Sequence, residues 1–340
     1  MNPQHRISLA VRMCLAGVMM LALLLMMISR SSVTHASSQN SSDLKNFQHV
    51  FVIMMENTSY ASLIGNPNAP WINAAAATYG LATNYTGVTH PSQPNYIAAT
   101  SGSLQGVTND NTTNVNATNI VDQLEANGKT WKAYMQSLFA NGNTNKLADS
   151  AGNQLYERKH DPFVSYVDVQ SNAARMANVV DFSQFATDLA NNTVPDFSWI
   201  SPDQCNDMHG RGAPSTDPCS FSNEQQLIAA GDAFLSATVS QIMNSQAWNG
   251  NSVIFITWDE SDFPFGDTTG CCDAPAGAGG GHVVTLVISH SDHSARTSSV
   301  AYNHYSILAT IEDGWKLGCL NFTCDTVNVP PMSDLVGPQG

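Results

Sequence analysis

Positive charge is what this 340-residue chain has least of: 13 Lys+Arg stand against 27 Asp+Glu, a formal net charge of −14. Three of those cations, Arg6, Arg12 and Arg30, lie in the first 36 residues, which hold no acid; without that segment the balance is 10 against 27, or −17. A polyanion-binding surface needs a basic stripe, and none is present, which argues against nucleic acid as a partner recognised through charge. The Gly- and Ala-rich stretch from Cys271 to Gly281 lacks the Gly-Lys-Ser/Thr ending of a phosphate-cradling loop and has no nucleotide role on this pattern. Beyond residue 36 no apolar run approaches the roughly 20 residues that span a bilayer. The middle of the chain shows no linker-like shift in composition and no internal repeat.

Cysteine is sparse as well. Of seven, Cys14 lies in the leading segment, leaving Cys205, Cys219, Cys271, Cys272, Cys319 and Cys324. The spacings match no Cys-x-x-Cys pair of pairs, which disfavours a thiolate zinc site. Six cysteines in an exported chain allow about 15 full connectivities. The pairs close in sequence are Cys205 with Cys219 and Cys319 with Cys324, whereas adjacent Cys271 and Cys272 would bridge only with strain.

The leading segment itself has a recognisable form. Arg6 and Arg12 precede an uncharged apolar run, Met13 to Ile28, followed by Ser-rich sequence and Ala36. A basic start, a short apolar core and small residues after it predict a secretory signal over residues 1–36, with an uncleaved anchor as the alternative. The expected location is therefore extracellular or cell-envelope associated. The remaining 300 or so residues suffice for one large α/β core. They are expected to form a single domain over 37–325 and an irregular tail over 326–340.

Three apolar runs end in acidic or amide side chains. His49–Met55 is followed by Glu56 and Asn57, Asp196–Ile200 by Ser201, Pro202 and Asp203, and Ser252–Trp258 by Asp259 and Glu260. Uninterrupted β-branched and aromatic runs of this length suit strands buried on both faces of a parallel sheet. A fourth run, His282–Ser289, carries its histidine at the start. Apolar residues at helical spacing recur over Asn119–Asn127, Phe182–Leu189, Glu224–Met243 and Tyr305–Glu312. Strand and helix alternation predicts a doubly wound α/β sandwich with a largely parallel central sheet. Sites in such sheets lie beyond the carboxyl ends of the strands, where Glu56, Asp203 and Asp259 fall. The Asn- and Thr-rich stretch Gly106–Asn119 reads as a surface loop.

Oxygen-rich side chains on several strand ends are a pattern that suits a divalent cation, which can activate a hydroxyl and screen phosphate oxygens. Each acidic pair alone reads equally as a solvated loop or a helix cap, and Asn57-Thr58-Ser59 resembles an N-cap start. Two pairs in the same strand-end setting favour a site. Other residues have bland readings too: Ser92 before Gln93-Pro94 as a turn residue, His160 before Asp161-Pro162 likewise, and Asp203, Asp207 and His209 as a loop pinned by Cys205. His304 reads as a structural histidine near a helix start.

Several segments in order are similar to one family. Met55-Glu-Asn-Thr-Ser-Tyr60 resembles the Glu-Asn-x-Ser-Phe/Tyr start of bacterial acid phosphatases and non-specific phospholipases C. Ser92-Gln-Pro-Asn-Tyr96 with Thr100-Ser-Gly102 resembles their nucleophile segment, and Lys159-His-Asp-Pro-Phe163 their Lys-His-Asn/Asp-Pro-Phe stretch. Ile256-Thr-Trp-Asp-Glu260 is similar to the Asp-Glu metal motif and Gly281-His-Val283 to the segment after it. Tyr302-Asn-His-Tyr-Ser306 with Ile311-Glu-Asp313 is similar to the C-terminal signature. The resemblance spans roughly residues 48 to 320.

It implies an alkaline-phosphatase-like α/β/α sandwich and a hydrolase of phosphoric esters. On it, Glu56, Asn57, Asp259 and Glu260 hold a divalent ion (Ca²⁺, Mg²⁺, Mn²⁺ or Zn²⁺). Ser92 is the nucleophile of a phosphoserine intermediate, with Thr89 as the alternative, and Asn95 contacts substrate. His160, His209 and His282 contact phosphate, protonate the leaving group, or complete a second metal position with Asp203. The implied partner is a phosphate-ester substrate, with a phospholipid or phosphoinositide among the candidates, and no stable protein partner. The chain departs from the phospholipase members, carrying Pro-Asn-Tyr for Pro-Asn-Arg and lacking their Gly-Gly-Phe-Tyr-Asp-His-like run. That places it closer to the secreted phosphatases, including phosphatidylinositol-phosphate phosphatases. The expected activity is a phosphomonoesterase, with a phospholipase C-type diesterase and an inactive binding protein as alternatives.

Overall fold

The computed structural model describes residues 44 and 46–337, except 141–143, 149–154, 263–266, 271, 273–278 and 293. The expected signal segment and most of the Cys271–Gly281 loop lie outside the described residues. Asp43–Gly340 forms one compact unit. Among the described residues no helix is long and apolar enough to cross a membrane.

The strands, in chain order, are β1 (Val50–Met55), β2 (Gly80–Ala82), β3 (Tyr85–Thr86), β4 (Trp131–Met135), β5 (Val179–Asp181), β6 (Phe197–Ser201), β7 (Val253–Trp258), β8 (Thr285–Ser289), β9 (Arg296–Ser298) and β10 (Tyr302–Asn303). Eight of them form one sheet in the order β5-β4-β6-β1-β7-β8-β2-β9, and β10 pairs with β3. The helices of seven residues or more are α1 (Pro70–Thr78), α2 (Ser92–Ser101), α3 (Ile120–Ala126), α4 (Ser183–Ala190), α5 (Glu224–Met243) and α6 (His304–Trp315). The arrangement is the mostly parallel α/β sheet with flanking helices that the strand and helix alternation predicts.

The central position of β1 follows from its composition. All six of its residues are buried, as are all six of β7, and strands covered on both faces must be apolar throughout. β1 pairs in parallel with β6 on one side and β7 on the other. β8 runs antiparallel to β7. Its start therefore lies at the same end of the sheet as the ends of β1 and β7, which explains why its histidine precedes the strand rather than following it.

Three parts of the chain carry detail beyond the pattern of strands and helices. The described part of the tail holds one regular element, the helical turn Ser333–Val336, and Val329, Met332, Leu335 and Val336 are buried. Apolar residues spaced three and four apart let that turn cover the sheet, and Tyr302 Oη donates to Asp334 Oδ1 at 2.6 Å. Within the Gly106–Asn119 loop, Asp110 is bound on two sides by the groups described below. The disulfides Cys205–Cys219 and Cys319–Cys324 are formed. Cys272 is also disulfide-bonded, and Cys271 lies outside the described residues.

Candidate active site

β1 and β7 end side by side, with Met55 opposite Trp258, so the next residues, Glu56 and Asp259, leave the sheet together. Asp259 N donates to Met55 O at 3.0 Å, and Asn57 N donates to Asp259 Oδ1 at 3.1 Å. Asn57 takes φ +36°, a left-handed conformation that asparagine tolerates better than most residues. Ser92 reaches this point through Gly87, where a Cβ would lie 2.5 Å from Asp259 O; only glycine lets the backbone pass so close. Ser92 then opens α2, a helix buried along its whole length.

The Ser92 hydroxyl lies 3.1 Å from Glu56 Oε2, 3.4 Å from Asn57 Oδ1 and 3.5 Å from Glu260 Oε1. A hydroxyl has one proton to donate, so most of these oxygens face one another without a donor between them. Three of the expected site residues, Glu56, Asn57 and Glu260, thus converge on Ser92. The Thr89 hydroxyl, the alternative nucleophile, donates to His90 O at 3.2 Å.

A second set of residues supports the first. Tyr96, one helical turn after Ser92, donates to Glu56 Oε1 at 2.6 Å and stacks on His160 with ring centroids 5.4 Å apart. His160 lies between two carboxylates, with Nε2 3.2 Å from Glu56 Oε1 and Nδ1 3.5 Å from Asp207 Oδ2. His90 Nδ1 is 2.8 Å from Glu260 Oε2. His304 donates from Nε2 to Asp259 O at 2.6 Å, because a carbonyl can only accept, and its Nδ1 then accepts from Tyr85 Oη at 3.0 Å. Asp110 bonds the Lys159 amine at 2.9 Å through Oδ2 and the Gln93 N–H at 2.9 Å through Oδ1. The loop that reads as solvated surface in the sequence therefore ties Lys159 to the residue after Ser92.

Burial sets the electrostatics. Glu56 and Asp259 are fully buried and Glu260 nearly so. Burial first, then the charges of Asp259 and Asp207, hold the Glu56 carboxyl well above its usual range. Asp259 is raised by burial and by Glu260, although the Asn57 N–H and the nearby Ser92 hydroxyl pull the other way. Glu260 is raised by burial against the pull of His90. Burial, followed by the charges of Lys159 and His209, keeps His160 neutral. Lys159 stays charged: burial works against it, but Glu56 and Asp110 outweigh that. His90 behaves alike, since the Glu260 hydrogen bond and charge overcome its burial and raise its pKa.

Other expected site residues lie apart from Ser92 or are engaged with the backbone. Asn95 accepts the N–H groups of Val88 and Thr89 and donates to Thr89 O at 2.7 Å, so its carboxamide shapes the turn into α2. Asp203 accepts from Ser137 Oγ and from the N–H groups of Cys205 and Asn206, which makes it the brace of the loop that the Cys205–Cys219 disulfide closes. His282 stacks on Tyr60 with centroids 4.2 Å apart. No hydrogen bond or ion pair joins it to Ser92 or the three carboxylates among the described residues. His209 lies behind His160, with ring centroids 6.0 Å apart.

The donor set bears on the expected metal. Among the described residues no three His, Cys, Asp or Glu side chains already stand at ligating distance of a common point. The oxygens around Ser92 nevertheless fit a hard or borderline divalent ion: three carboxylates, one amide carbonyl and one hydroxyl, with no thiolate. Asp259 Oδ2 is buried without a hydrogen-bond partner, and no Lys or Arg forms an ion pair with Glu56, Asp259 or Glu260 among the described residues. Buried carboxylates facing one another are costly unless a cation offsets them.

Comparison with known proteins matches the chain to a family. The Phosphoesterase family matches residues 66–318, a span that contains Ser92, Asp259 and Glu260; Glu56 and Asn57 precede it. The chain is 32% identical over 303 residues to the phosphatidylinositol-3-phosphatase of Mycobacterium tuberculosis, covering 87% of this chain and 85% of that one. It is 25% identical over 319 residues to an acid phosphatase of Aspergillus fumigatus, covering 86% of this chain and 65% of that enzyme. A solved protein in the alkaline phosphatase superfamily from Vibrio parahaemolyticus superposes with a TM-score of 0.52 at 14% identity, covering 88% of this chain and 72% of that one. The phosphonate monoester hydrolase of Agrobacterium radiobacter superposes with a TM-score of 0.51 at 14% identity, covering 86% and 78%. The fold is that of the alkaline phosphatase superfamily.

Proposed function

Because the chain belongs to the Phosphoesterase family and is a hydrolase of phosphoric esters, we propose that it is a metal-dependent phosphomonoesterase acting through a phosphoserine at Ser92. The observation that carries this reading is the Ser92 hydroxyl, set at the start of a buried helix and facing Glu56, Asn57 and Glu260 at 3.1 to 3.5 Å. A divalent ion held by Glu56, Asn57, Asp259 and Glu260 supplies charge neutralisation for the phosphoryl oxygens and acidity for the serine hydroxyl.

The residues of this chain do the rest. Ser92 Oγ attacks phosphorus, the Oγ–P bond forming as the bond to the leaving oxygen breaks, and the Ser92 proton passes by way of Glu56 Oε2 to that oxygen, which departs as the alcohol. Tyr96 and His160 hold Glu56 from its other oxygen. Lys159 presents a fixed positive charge beside the same carboxylates, where phosphoryl oxygens gather. Water then cleaves the phosphoserine, returning Ser92 and releasing inorganic phosphate. Relatives named as phosphatases support monoesters over diesters as the substrate class. The reading also takes residues 1–36 to direct export.

Turnover of p-nitrophenyl phosphate and p-nitrophenylphosphorylcholine, with and without chelator, tests it. Chelator-sensitive monoester turnover that disappears in Ser92→Ala is expected. Diester turnover alone would transfer the reading to a phospholipase C. Export is checked by locating the full chain, and a chain cleaved near Ala36 outside the cell is the expected result.

A further inference from the structure

Asp259 and Glu260 are neighbours in the chain, yet both are expected to serve one ion. In an extended strand successive side chains leave on opposite faces, so the chain has to bend where β7 ends. Regular strand stops at Trp258, and residues 259 and 260 form a bend. The backbone is anchored on either side of it: Asp259 N donates to Met55 O at 3.0 Å and Ser261 N to Gly280 O at 2.7 Å. Between those anchors lies one peptide plane, shared by Asp259 O and Glu260 N. Its orientation sets ψ of Asp259 and φ of Glu260, and with them the directions in which the two carboxylates leave the chain.

That plane is held by a histidine. His304 Nε2 donates to Asp259 O at 2.6 Å, and its Nδ1 faces Tyr85 Oη at 3.0 Å. Both side chains are fully buried, so bulk water replaces neither bond. The fold brings the two together through β3 and β10, which pair with Tyr85 opposite Tyr302; α6 then opens at His304. The Asp259 oxygen is closed on another side by Gly87, where a Cβ would lie 2.5 Å away.

The contact has a direction. A carbonyl only accepts, so Nε2 carries a proton, and the hydroxyl of Tyr85 donating to Nδ1 fixes the ring in that tautomer. No side-chain bond of His304 reaches Ser92 or a carboxylate among the described residues. Its effect on the site therefore passes through the backbone of Asp259.

We propose that His304 and Tyr85 are positioning residues, which lock the Asp259–Glu260 peptide plane so that both carboxylates face Ser92 and the divalent ion. The assignment rests on the metal-dependent reading above.

The test measures binding of Mg²⁺, Ca²⁺, Mn²⁺ and Zn²⁺ to the chelator-treated full chain by calorimetry, beside melting in chelator. His304→Phe keeps a ring and removes the donor. His304→Gln restores an N–H donor and a carbonyl acceptor, and Tyr85→Phe removes a single oxygen. His304→Phe is expected to weaken ion binding about ten- to a hundredfold, the range for partners that orient a metal ligand. His304→Gln should regain most of that loss. Tyr85→Phe should cost a few-fold, and should add nothing in the double variant with His304→Phe. Unchanged ion affinity in folded His304→Phe, or His304→Gln binding no better than His304→Phe, overturns the positioning role. Tyr85→Phe keeps the test intact if His304→Phe does not fold, since unchanged affinity there overturns the role by itself. A parent that binds none of the four ions, and whose turnover ignores chelator, overturns the metal-dependent reading as well.

Discussion

At the residue scale the decisive imbalance is one hydroxyl proton among three oxygens. Ser92→Ala should lower turnover by about 10³-fold or more, the scale on which a lost nucleophile acts. It should also abolish the mass increase of one phosphate seen on protein trapped during turnover. Asp259 yields a less obvious outcome. Burial and Glu260 push its carboxyl pKa up to about 8, so Asp259→Asn mimics the neutral form that the ion-free protein already holds near pH 7. The variant should lose ion retention and turnover while melting no lower than the parent in chelator. A clear loss of melting temperature in chelator would show that Asp259 serves the fold instead. The sequence makes Glu56, Asn57, Asp259 and Glu260 visible because each follows directly on an apolar run. It hides Tyr96, His90 and Lys159, because nothing in local pattern tells a buried helix tyrosine from a core residue, or a loop cation from a solvated one.

At the scale of elements, the long strands and helices are legible and the short ones are not. β1, β6, β7 and β8 appear as apolar runs, and α5 as twenty residues of helical period. The short strands β2, β5 and β9 have three residues each, too few for any period, and their pairing is fixed by the sheet they join. The loop over Gly106–Asn119 shows the same limit in reverse, since its polar composition conceals a bridge. Asp110 reaches Lys159 with one oxygen and the Gln93 N–H with the other. Asp110→Asn keeps the shape but loses the charge that holds the amine. It should cost about tenfold in kcat/KM, a few-fold in the affinity for inorganic phosphate, and little in stability. If Asp110 acts through Lys159, the double variant with Lys159→Ala should be no worse than Lys159→Ala alone. Additive losses would show that the two residues act separately.

At the scale of the whole molecule, the buried acids outside the site set a pH dependence of stability that can be worked out in sign. Glu312 accepts from Gln123 Nε2 at 2.9 Å through Oε1, while its Oε2 is buried without a partner. Burial raises its pKa to about 7, against the pull of Thr323 and Gln123. Asp161 is likewise pushed up to about 7 by burial. For each group the folded state keeps a proton, between the ordinary carboxyl pKa and about 7, that the unfolded chain has already released. The unfolded state then binds fewer protons, so stability falls as pH rises through that window. The contribution is fully present below the ordinary carboxyl pKa, is lost as pH passes about 7, and changes no further above it. One pKa unit corresponds to about 1.4 kcal/mol, so Glu312 alone should account for about 2 kcal/mol of stability lost between pH 5 and pH 8. Glu312→Gln cannot ionise and keeps the contact with Gln123 in shape. Urea unfolding of parent and variant at both pH values isolates the contribution, because every other titrating group is common to the two proteins. The gap between pH 5 and pH 8 should narrow in the variant by roughly that amount, and parallel profiles would mean that Glu312 is already ionised in the folded chain.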